Sequence, residues 1–255
     1  MVLDFGMAFR VIARLDVKPP LLVKGVHMEG LRKVGDPGEF ARAYFDQGAD
    51  EINYQDIVAT LYARNSIGAL VTTTAESVFV PITVGGGIRT AKDAAQMVRK
   101  GADKICLNTA AVRMPGLIAQ IAGLLGSQAV VIGIEAKRLQ GTWTAMTDCG
   151  REHTGKNVLE WAEQIRDLGA GEILLTSIDQ EGTQMGFDTD LITAVRSVTS
   201  LPIIAHGGAG HPHDAVKAFN AGASAIAIAS VLHYNKYQVV DFKHALHGAG
   251  VEVRL

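Results

Sequence analysis

The feature that most constrains this chain is an internal repeat in which identical residues recur 121 positions apart. Eight residues between Glu39 and Ile57 recur between Glu160 and Ile178, and nine between Pro81 and Ile105 recur between Pro202 and Ile226. Self-similarity at a fixed spacing indicates equivalent structural units that pack together around a shared core. The sequence therefore predicts two half-units, approximately residues 1–122 and 123–255.

Short apolar runs, each followed by a helix-like stretch, are typical of parallel strands covered on both faces. The predicted strands are 11–16, 51–55, 80–84, 103–107, 129–135, 172–176, 202–206 and 225–229. Amphipathic stretches between them occupy 37–47, 91–100, 157–168 and 211–220. This alternation predicts an α/β fold, a single (β/α)8 TIM barrel over residues 1–255, with a doubly wound open sheet as the alternative.

Composition and charge exclude several classes of protein. Hydrophobic residues make up 48% of the chain and charged residues 20%, which supplies a core and excludes a disordered chain. The net charge of −2 gives no electrostatic reason to expect nucleic acid or a membrane as partner. Residues 1–8 show no signal-peptide pattern, and Cys106 and Cys149 are isolated thiols, so we expect a cytoplasmic protein.

The catalytic candidates are acidic residues at strand ends, because TIM-barrel active sites lie at the C-terminal ends of the strands. Asp16 ends the first predicted strand, and Glu135 ends the fifth, its counterpart in the second half. Two carboxylates on opposite sides of one mouth suit general acid and general base catalysis. The alternative is that both merely cap strand ends toward solvent.

Glycine-rich ends of the third and seventh strands predict anion sites, because glycine lets backbone N–H groups approach a phosphate closely. The two matched sets are Gly86, Gly87, Asn108 and Thr109 in the first half, and Gly207, Gly208, Ala229 and Ser230 in the second. Two such sets predict an elongated, bisphosphorylated small-molecule substrate. Tight turns without a ligand are the alternative.

Four charged residues lie at the N-terminal ends of predicted strands. These ends form the floor of a barrel, where the fold itself does not need charged side chains. They are Arg10, Glu51, Lys104 and Glu172. An alternating ring of these charges would close the barrel floor as a structural device. It would equally serve as a gate through which a small polar molecule enters from a partner.

No other motif predicts a metal or a cofactor. His211 and His213 lack a third ligand at suitable spacing, and the chain has no dinucleotide-binding or Walker loop. Trp143 lies in the segment 139–150, which is predicted to form a hairpin over the barrel mouth or a surface excursion.

Several motifs along the whole chain together resemble the cyclase subunit of imidazole glycerol phosphate synthase. They include LDVK at 15–18, VKG at 23–25, TVGGGIR at 83–89, LNTAAV at 107–112 and GAGEILLTSID at 169–179. The resemblance implies a bisphosphate-binding barrel that takes ammonia from a glutaminase subunit docked on its N-terminal face. It implies cyclisation of a ribulosyl formimino-carboxamide nucleotide to imidazole glycerol phosphate, with release of an aminoimidazole carboxamide nucleotide.

Carried over by position, the resemblance makes Asp16 the general acid, Lys24 the loop lysine and Glu135 the second catalytic carboxylate. It makes the four floor residues an ammonia gate. It also extends the substrate-binding set to Thr176, Glu181, Gly182 and His206.

The departures from the family pattern cluster at this predicted site. Glutamate replaces aspartate at Glu135 and Glu181, His206 replaces a small residue, and Arg14 replaces a small residue or cysteine. Arg14 shares strand parity with Asp16, so it should favour the ionised form of Asp16. These changes keep two alternatives open: a paralogue that supplies ammonia for amidation of a surface-polysaccharide sugar, and a catalytically silent scaffold that channels ammonia. The isomerase of the same pathway shares the barrel but not this combination of motifs.

Overall fold

A computed structural model describes residues 8–59 and 67–255 of the chain, so the N-terminal segment 1–7 lies outside the described residues. The strands of the described part are β1 (Arg10–Lys18), β2 (Leu21–Val26), β3 (Glu29–Gly35), β4 (Glu51–Asp56), β5 (Ile82–Gly85), β6 (Lys104–Leu107), β7 (Val130–Leu139), β8 (Thr142–Thr147), β9 (Glu152–Asn157), β10 (Glu172–Ser177), β11 (Ile203–His206) and β12 (Ala225–Ile228).

Eight of these strands form a closed parallel barrel. Their order is β10-β11-β12-β1-β4-β5-β6-β7, and β7 pairs with β10 to complete the ring. Each neighbouring pair is parallel, as the predicted βα alternation requires. The predicted single (β/α)8 barrel is confirmed and the open sheet is excluded. The division into halves near residue 122 stays a prediction.

Helices cover the outside of the barrel between its strands. In the described residues they are α1 (Pro37–Asp46), α2 (Gly68–Ala75), α3 (Ala91–Arg99), α4 (Thr109–Arg113), α5 (Gly116–Leu125), α6 (Val158–Asp167), α7 (Thr189–Val198), α8 (His213–Asn220), α9 (Ser230–His233) and α10 (Val239–Gly248), with a 3₁₀ turn at Ser127–Ala129. The helix starts follow local chemistry: Asp36 caps α1, and Thr90 with Asp93 forms a capping box at α3.

The core has two parts, one on each side of the barrel wall. The larger part lies between the strands and the helices and includes Trp161, Tyr54 and Phe242. The smaller part fills the barrel interior with residues from six strands: Ile12, Cys106, Val131, Leu174, Ile204, Ala225 and Ala227. This inner layer separates the floor of the barrel from its mouth.

Two hairpins extend barrel strands beyond the mouth. The predicted hairpin containing Trp143 is present, with β8 antiparallel to β7 and followed by β9. A second hairpin, β2–β3, follows β1 at the equivalent place and was not predicted. Position 21, where β2 begins, and position 142, where β8 begins, are separated by the same 121 residues as the sequence repeat.

We predict that Trp161→Ala lowers the free energy of unfolding by about 3–5 kcal/mol, because a large core side chain is removed and its cavity only partly collapses. Trp161 lies on the inner face of α6 and is fully buried. Trp143→Ala, on the partly exposed β8 strand, is the matched control and should cost less. Denaturant unfolding measures both, and equal losses would contradict this packing role.

Candidate active site

A cavity of about 250 Å³ opens at the C-terminal ends of the barrel strands. The whole first set of predicted phosphate ligands lines it, namely Gly86, Gly87, Asn108 and Thr109. Glu135 and Thr176 reach the same cavity from β7 and β10. The structure therefore brings one predicted anion site and one predicted catalytic carboxylate to a shared space.

The second set of predicted phosphate ligands has a different environment. Gly207, Gly208, Ala229 and Ser230 are not among the described residues that line this cavity. The loop after β10 packs on the glycines: the Gly186 N–H donates to the Gly208 carbonyl oxygen at 2.7 Å. A Cβ atom on Gly208 would overlap the Gly186 carbonyl. The positive φ of 102° and this close approach both require glycine at position 208.

Arg14 and Asp16 form a buried ion pair inside the barrel mouth. Arg14 Nε donates to Asp16 Oδ1 at 2.9 Å, and both side chains are buried. Burial alone would favour the protonated acid, but the charges of Arg14 and Lys24 outweigh it and hold the pKa of Asp16 well below its usual range. The expectation from strand parity is thus confirmed, and Asp16 is ionised at neutral pH.

Lys24 links the first hairpin to the loop after β10. Its ammonium group contacts the Glu181 carboxylate directly and lies 3.3 Å from Asp16 Oδ2. The backbone N–H of Met28 also donates to Glu181 Oε2 at 3.1 Å, and that of His27 to the Glu181 carbonyl oxygen at 2.9 Å. Glu181 therefore anchors the β2–β3 hairpin over the mouth. A Cβ on the neighbouring Gly182 would crowd this hairpin.

Glu135 has the opposite electrostatic environment from Asp16. Burial raises the pKa of Glu135 to about 7, although the positive charge of Arg14 and hydrogen bonds from Gly150 and Asn108 lower it in part. The Gly150 backbone N–H donates to Glu135 Oε2 at 2.8 Å. Two carboxyl groups at one mouth are thus held in different protonation states near neutral pH, which is the arrangement that acid–base catalysis uses.

The turn that positions Glu135 was missed by sequence reasoning. Asp148 and Cys149 both adopt positive φ, 53° and 58°, between β8 and β9. Such backbone conformations are costly for residues other than glycine and cluster at functional sites. Hydrogen bonds stabilise the turn: Asp148 accepts from Arg113, and its N–H donates to Thr109 Oγ1 at 3.0 Å. Only the glycine of the Asp-Cys-Gly sequence signalled a turn here.

The four charged residues of the barrel floor contact one another in a closed, alternating ring. Glu51 accepts from Arg10 at 3.1 Å and from Lys104 at 2.9 Å. Glu172 accepts from Lys104 at 3.0 Å and contacts Arg10 directly. Two positive and two negative charges compensate one another at the end of the interior opposite Glu135. The structure thus brings these residues together, and their role as a gate stays a prediction.

His206 ends β11 beside the Arg14–Asp16 pair and is buried. Its Nδ1 lies 2.9 Å from the Ala227 carbonyl oxygen. Burial, with the positive charges of Arg14 and Lys24, holds the pKa of His206 well below its usual value. His206 is therefore neutral and adds no charge to the mouth.

Two kinds of feature are not found in the described parts of the chain. In residues 8–59 and 67–255, no group of three or more His, Cys, Asp and Glu side chains is arranged to hold a metal ion. The helices within the same ranges are too short or too polar to cross a membrane.

Comparison with known proteins places this barrel in a family. A family model described as "Histidine biosynthesis protein" matches residues 10–238. The chain belongs to this histidine biosynthesis protein family. The match spans every barrel strand, from β1 to β12, so family membership rests on the whole barrel and both of its ends.

Relatives with the name "Imidazole glycerol phosphate synthase subunit HisF" occur in distant organisms. One from Legionella pneumophila is 60% identical over 202 residues, which are 79% of this chain and 95% of the relative. One from Leifsonia xyli subsp. xyli is 46% identical over 252 residues, 98% of this chain and 99% of the relative. One from Pyrococcus furiosus is 45% identical over 249 residues, again 98% and 99%.

We predict that Glu135→Gln changes how stability depends on pH. Between about pH 4.5 and about pH 7 the folded protein retains a proton on Glu135 that the unfolded chain releases, so wild-type stability falls across this window. The glutamine variant lacks this contribution, and its stability relative to wild type should rise with pH. Denaturant unfolding at several pH values measures the difference.

The control for this prediction is Glu152→Gln, which changes an exposed glutamate of β9. Its stability relative to wild type should stay constant with pH over the same window. A constant difference for Glu135→Gln as well would contradict a raised pKa at Glu135.

Proposed function

We propose that this chain is the cyclase subunit of imidazole glycerol phosphate synthase in histidine biosynthesis. It joins ammonia to a ribulosyl formimino-carboxamide nucleotide and releases imidazole glycerol phosphate and an aminoimidazole carboxamide nucleotide. The observation that carries this proposal is one barrel interior with a closed charged ring at its floor and an acid–base pair of carboxylates at its mouth. The name shared by relatives that cover almost the whole chain supports the same activity.

The protonation states of the two carboxylates suggest how they divide the chemistry. Glu135, with a pKa raised to about 7, is the group that can donate a proton near neutral pH. Asp16 is held ionised by Arg14 and Lys24, so it acts as the base or stabilises developing positive charge. This assignment reverses the one carried over from the family, which made Asp16 the general acid. The reason is Arg14, which lies within hydrogen-bond distance of Asp16.

The floor ring suits delivery of ammonia from a separate subunit. No glutaminase sequence is recognisable in these 255 residues, so we propose that a glutaminase docks on the N-terminal face around the ring, in the cytoplasm. Ammonia is small and neutral, and it can cross the apolar inner layer of Ile12, Leu174 and Ile204 more readily than ammonium can. The charged ring then separates this path from solvent.

The substrate is a bisphosphate in this proposal. Gly86, Gly87, Asn108 and Thr109 bind one phosphate at the open cavity. The second phosphate binds to the loops at Gly207, Gly208, Ala229 and Ser230 and to the backbone near Glu181 and Gly182. Thr176 lines the cavity beside the first set and pairs in register with His206, the neighbour of Gly207 in the second set, so a ribulosyl chain would pass it.

A second candidate function is amidation of a sugar with ammonia from the same barrel. Two observations favour it: Asp16 is neutralised by Arg14, and the loop after β10 packs directly on Gly208. A silent scaffold has less support, because Glu135 lines an open cavity and keeps a pKa near neutrality.

We predict that the purified chain turns over the ribulosyl formimino nucleotide with ammonium salt, measured as loss of substrate absorbance. After correction for the fraction of free ammonia, turnover should fall as pH rises through about 7, because Glu135 loses its proton. Glu135→Gln should lower turnover about 10²- to 10⁴-fold and remove this pH dependence.

Asp16→Asn should lower turnover, but turnover of this variant should still fall as pH rises through about 7. Absence of turnover in folded wild-type protein that still binds a bisphosphate would reject the cyclase and favour the sugar-amidation enzyme. If turnover of Glu135→Gln still falls as pH rises through about 7, Glu135 is rejected as the proton donor.

We predict that Lys104→Ala uncouples glutamine hydrolysis by the glutaminase from product formation, because the variant opens the ring at Glu51 and Glu172. Activity with free ammonium should change little, since Lys104 is remote from the mouth. Lys92→Ala, on the exposed face of α3, is the control. Equal loss of both activities in Lys104→Ala would show structural damage rather than a gate.

A further inference from the structure

We propose that Nε2 of His206 is a binding site that receives ammonia inside the barrel, beside the floor of the substrate cavity. The inference rests on the proposed ammonia-dependent function and adds a residue to it. It gives a role to a histidine at a place where the family pattern has a small residue.

The position of His206 is set by β11. Residues two apart on a strand face the same side, and Ile204, two residues earlier, belongs to the inner layer. The His206 side chain therefore points into the barrel, immediately above that layer. Its register partners on the neighbouring strands are Thr176 and Ala227. Thr176 lines the cavity and lies 3.4 Å from Arg14, so His206 lies beside the cavity floor.

The hydrogen bond of His206 fixes its tautomer. Its Nδ1 lies 2.9 Å from the carbonyl oxygen of Ala227, and a carbonyl oxygen can only accept. Nδ1 must therefore carry the proton. In a neutral imidazole the other nitrogen then has a free lone pair, so Nε2 of His206 is a hydrogen-bond acceptor.

This acceptor has no partner among the residues that the structure describes, and His206 is only 5% exposed. A buried polar atom without a partner costs free energy, so such an atom in a native protein needs an explanation. The charges that face His206 are Arg14 and Lys24, with Asp16 opposing them. Burial and these positive charges together disfavour protonation of Nε2, and the charges also repel a cationic ligand.

The ligand that fits is a small, neutral hydrogen-bond donor. Ammonia has three N–H donors and one lone pair. When ammonia donates one N–H to Nε2 of His206, its lone pair stays free to attack an electrophilic carbon in the adjacent cavity. On the neighbouring strand β12, Ala225 and Ala227 have the smallest side chains of the inner layer, so this side of the layer leaves the most room for a small molecule. Ammonia that crosses this layer therefore meets an acceptor at its upper end.

The first test is the kinetics of two matched variants with free ammonium salt. Asparagine can keep the donor to the Ala227 carbonyl but lacks the Nε2 acceptor, so His206→Asn should raise the KM for free ammonia about three- to tenfold. The KM for the nucleotide should rise by a smaller factor than the KM for ammonia. His206→Gln places an amide oxygen near the position of Nε2 and should recover part of the loss. An unchanged ammonia KM in His206→Asn, or a nucleotide KM that rises by more than the ammonia KM, would overturn the proposal.

The second test does not depend on turnover, so it separates this inference from the proposed function. Long-range ¹H–¹⁵N spectra of the wild-type protein report the protonation of each imidazole nitrogen. We expect His206 to be protonated at Nδ1, and its Nε2 resonance to shift when ammonia is added at alkaline pH. Tetramethylammonium at the same ionic strength, which has no N–H donor, should cause no shift. A proton on Nε2, or an unchanged resonance with ammonia, would reject the site even if the enzyme is active.

Discussion

The interior of a closed eight-stranded barrel must be filled by side chains, and the rest of this structure depends on how that space is filled. Here the filling is layered. A charged ring forms the floor, an apolar layer around Ile12 and Leu174 lies in the middle, and polar groups around Arg14 and Glu135 form the mouth. The apolar layer keeps the two sets of charges apart, so each set must compensate its own charges.

The charges around each carboxylate at the mouth explain why the pKa values of Asp16 and Glu135 differ. Asp16 contacts both Arg14 and Lys24, while Glu135 receives mainly neutral hydrogen bonds, from Gly150 and Asn108. Removal of one partner from a buried ion pair leaves an uncompensated charge, which costs several kcal/mol. Arg14 therefore cannot be considered separately from Asp16. Burial, helped by the same cation that stabilises Asp16, lowers the pKa of His206, which links the acid–base pair to the proposed ammonia site.

Two hairpins lie at matching positions of the sequence repeat but make different contacts at the barrel mouth. The β2–β3 hairpin follows β1, and the β8–β9 hairpin follows β7. The first hairpin is tied by Lys24 to Glu181, whereas the second supplies the Gly150 N–H to Glu135. The repeat could have predicted the first hairpin from the second, because β2 and β8 occupy equivalent positions. The polar Lys-Gly and Arg-Lys pairs of β2 and β3 hid the alternation of a strand.

The sequence alone predicted the barrel, the four residues of the floor ring, and the two carboxylates and first glycine-rich set at its mouth. Hydrophobic periodicity and the repeat are local and regular signals, and they place strand ends such as Asp16 and Glu135 without any knowledge of contacts. Strand parity predicted that Arg14 favours the ionised form of Asp16, but only the tertiary structure showed that burial raises the pKa of Glu135, because the burial of Glu135 and its distance to Arg14 depend on how β1 and β7 face each other. It also decided that Nδ1 of His206 bonds to Ala227, a residue 21 positions away, and so which nitrogen remains free. Protonation and tautomer are properties of packed neighbours, and their physical cause lies outside any single segment of the chain.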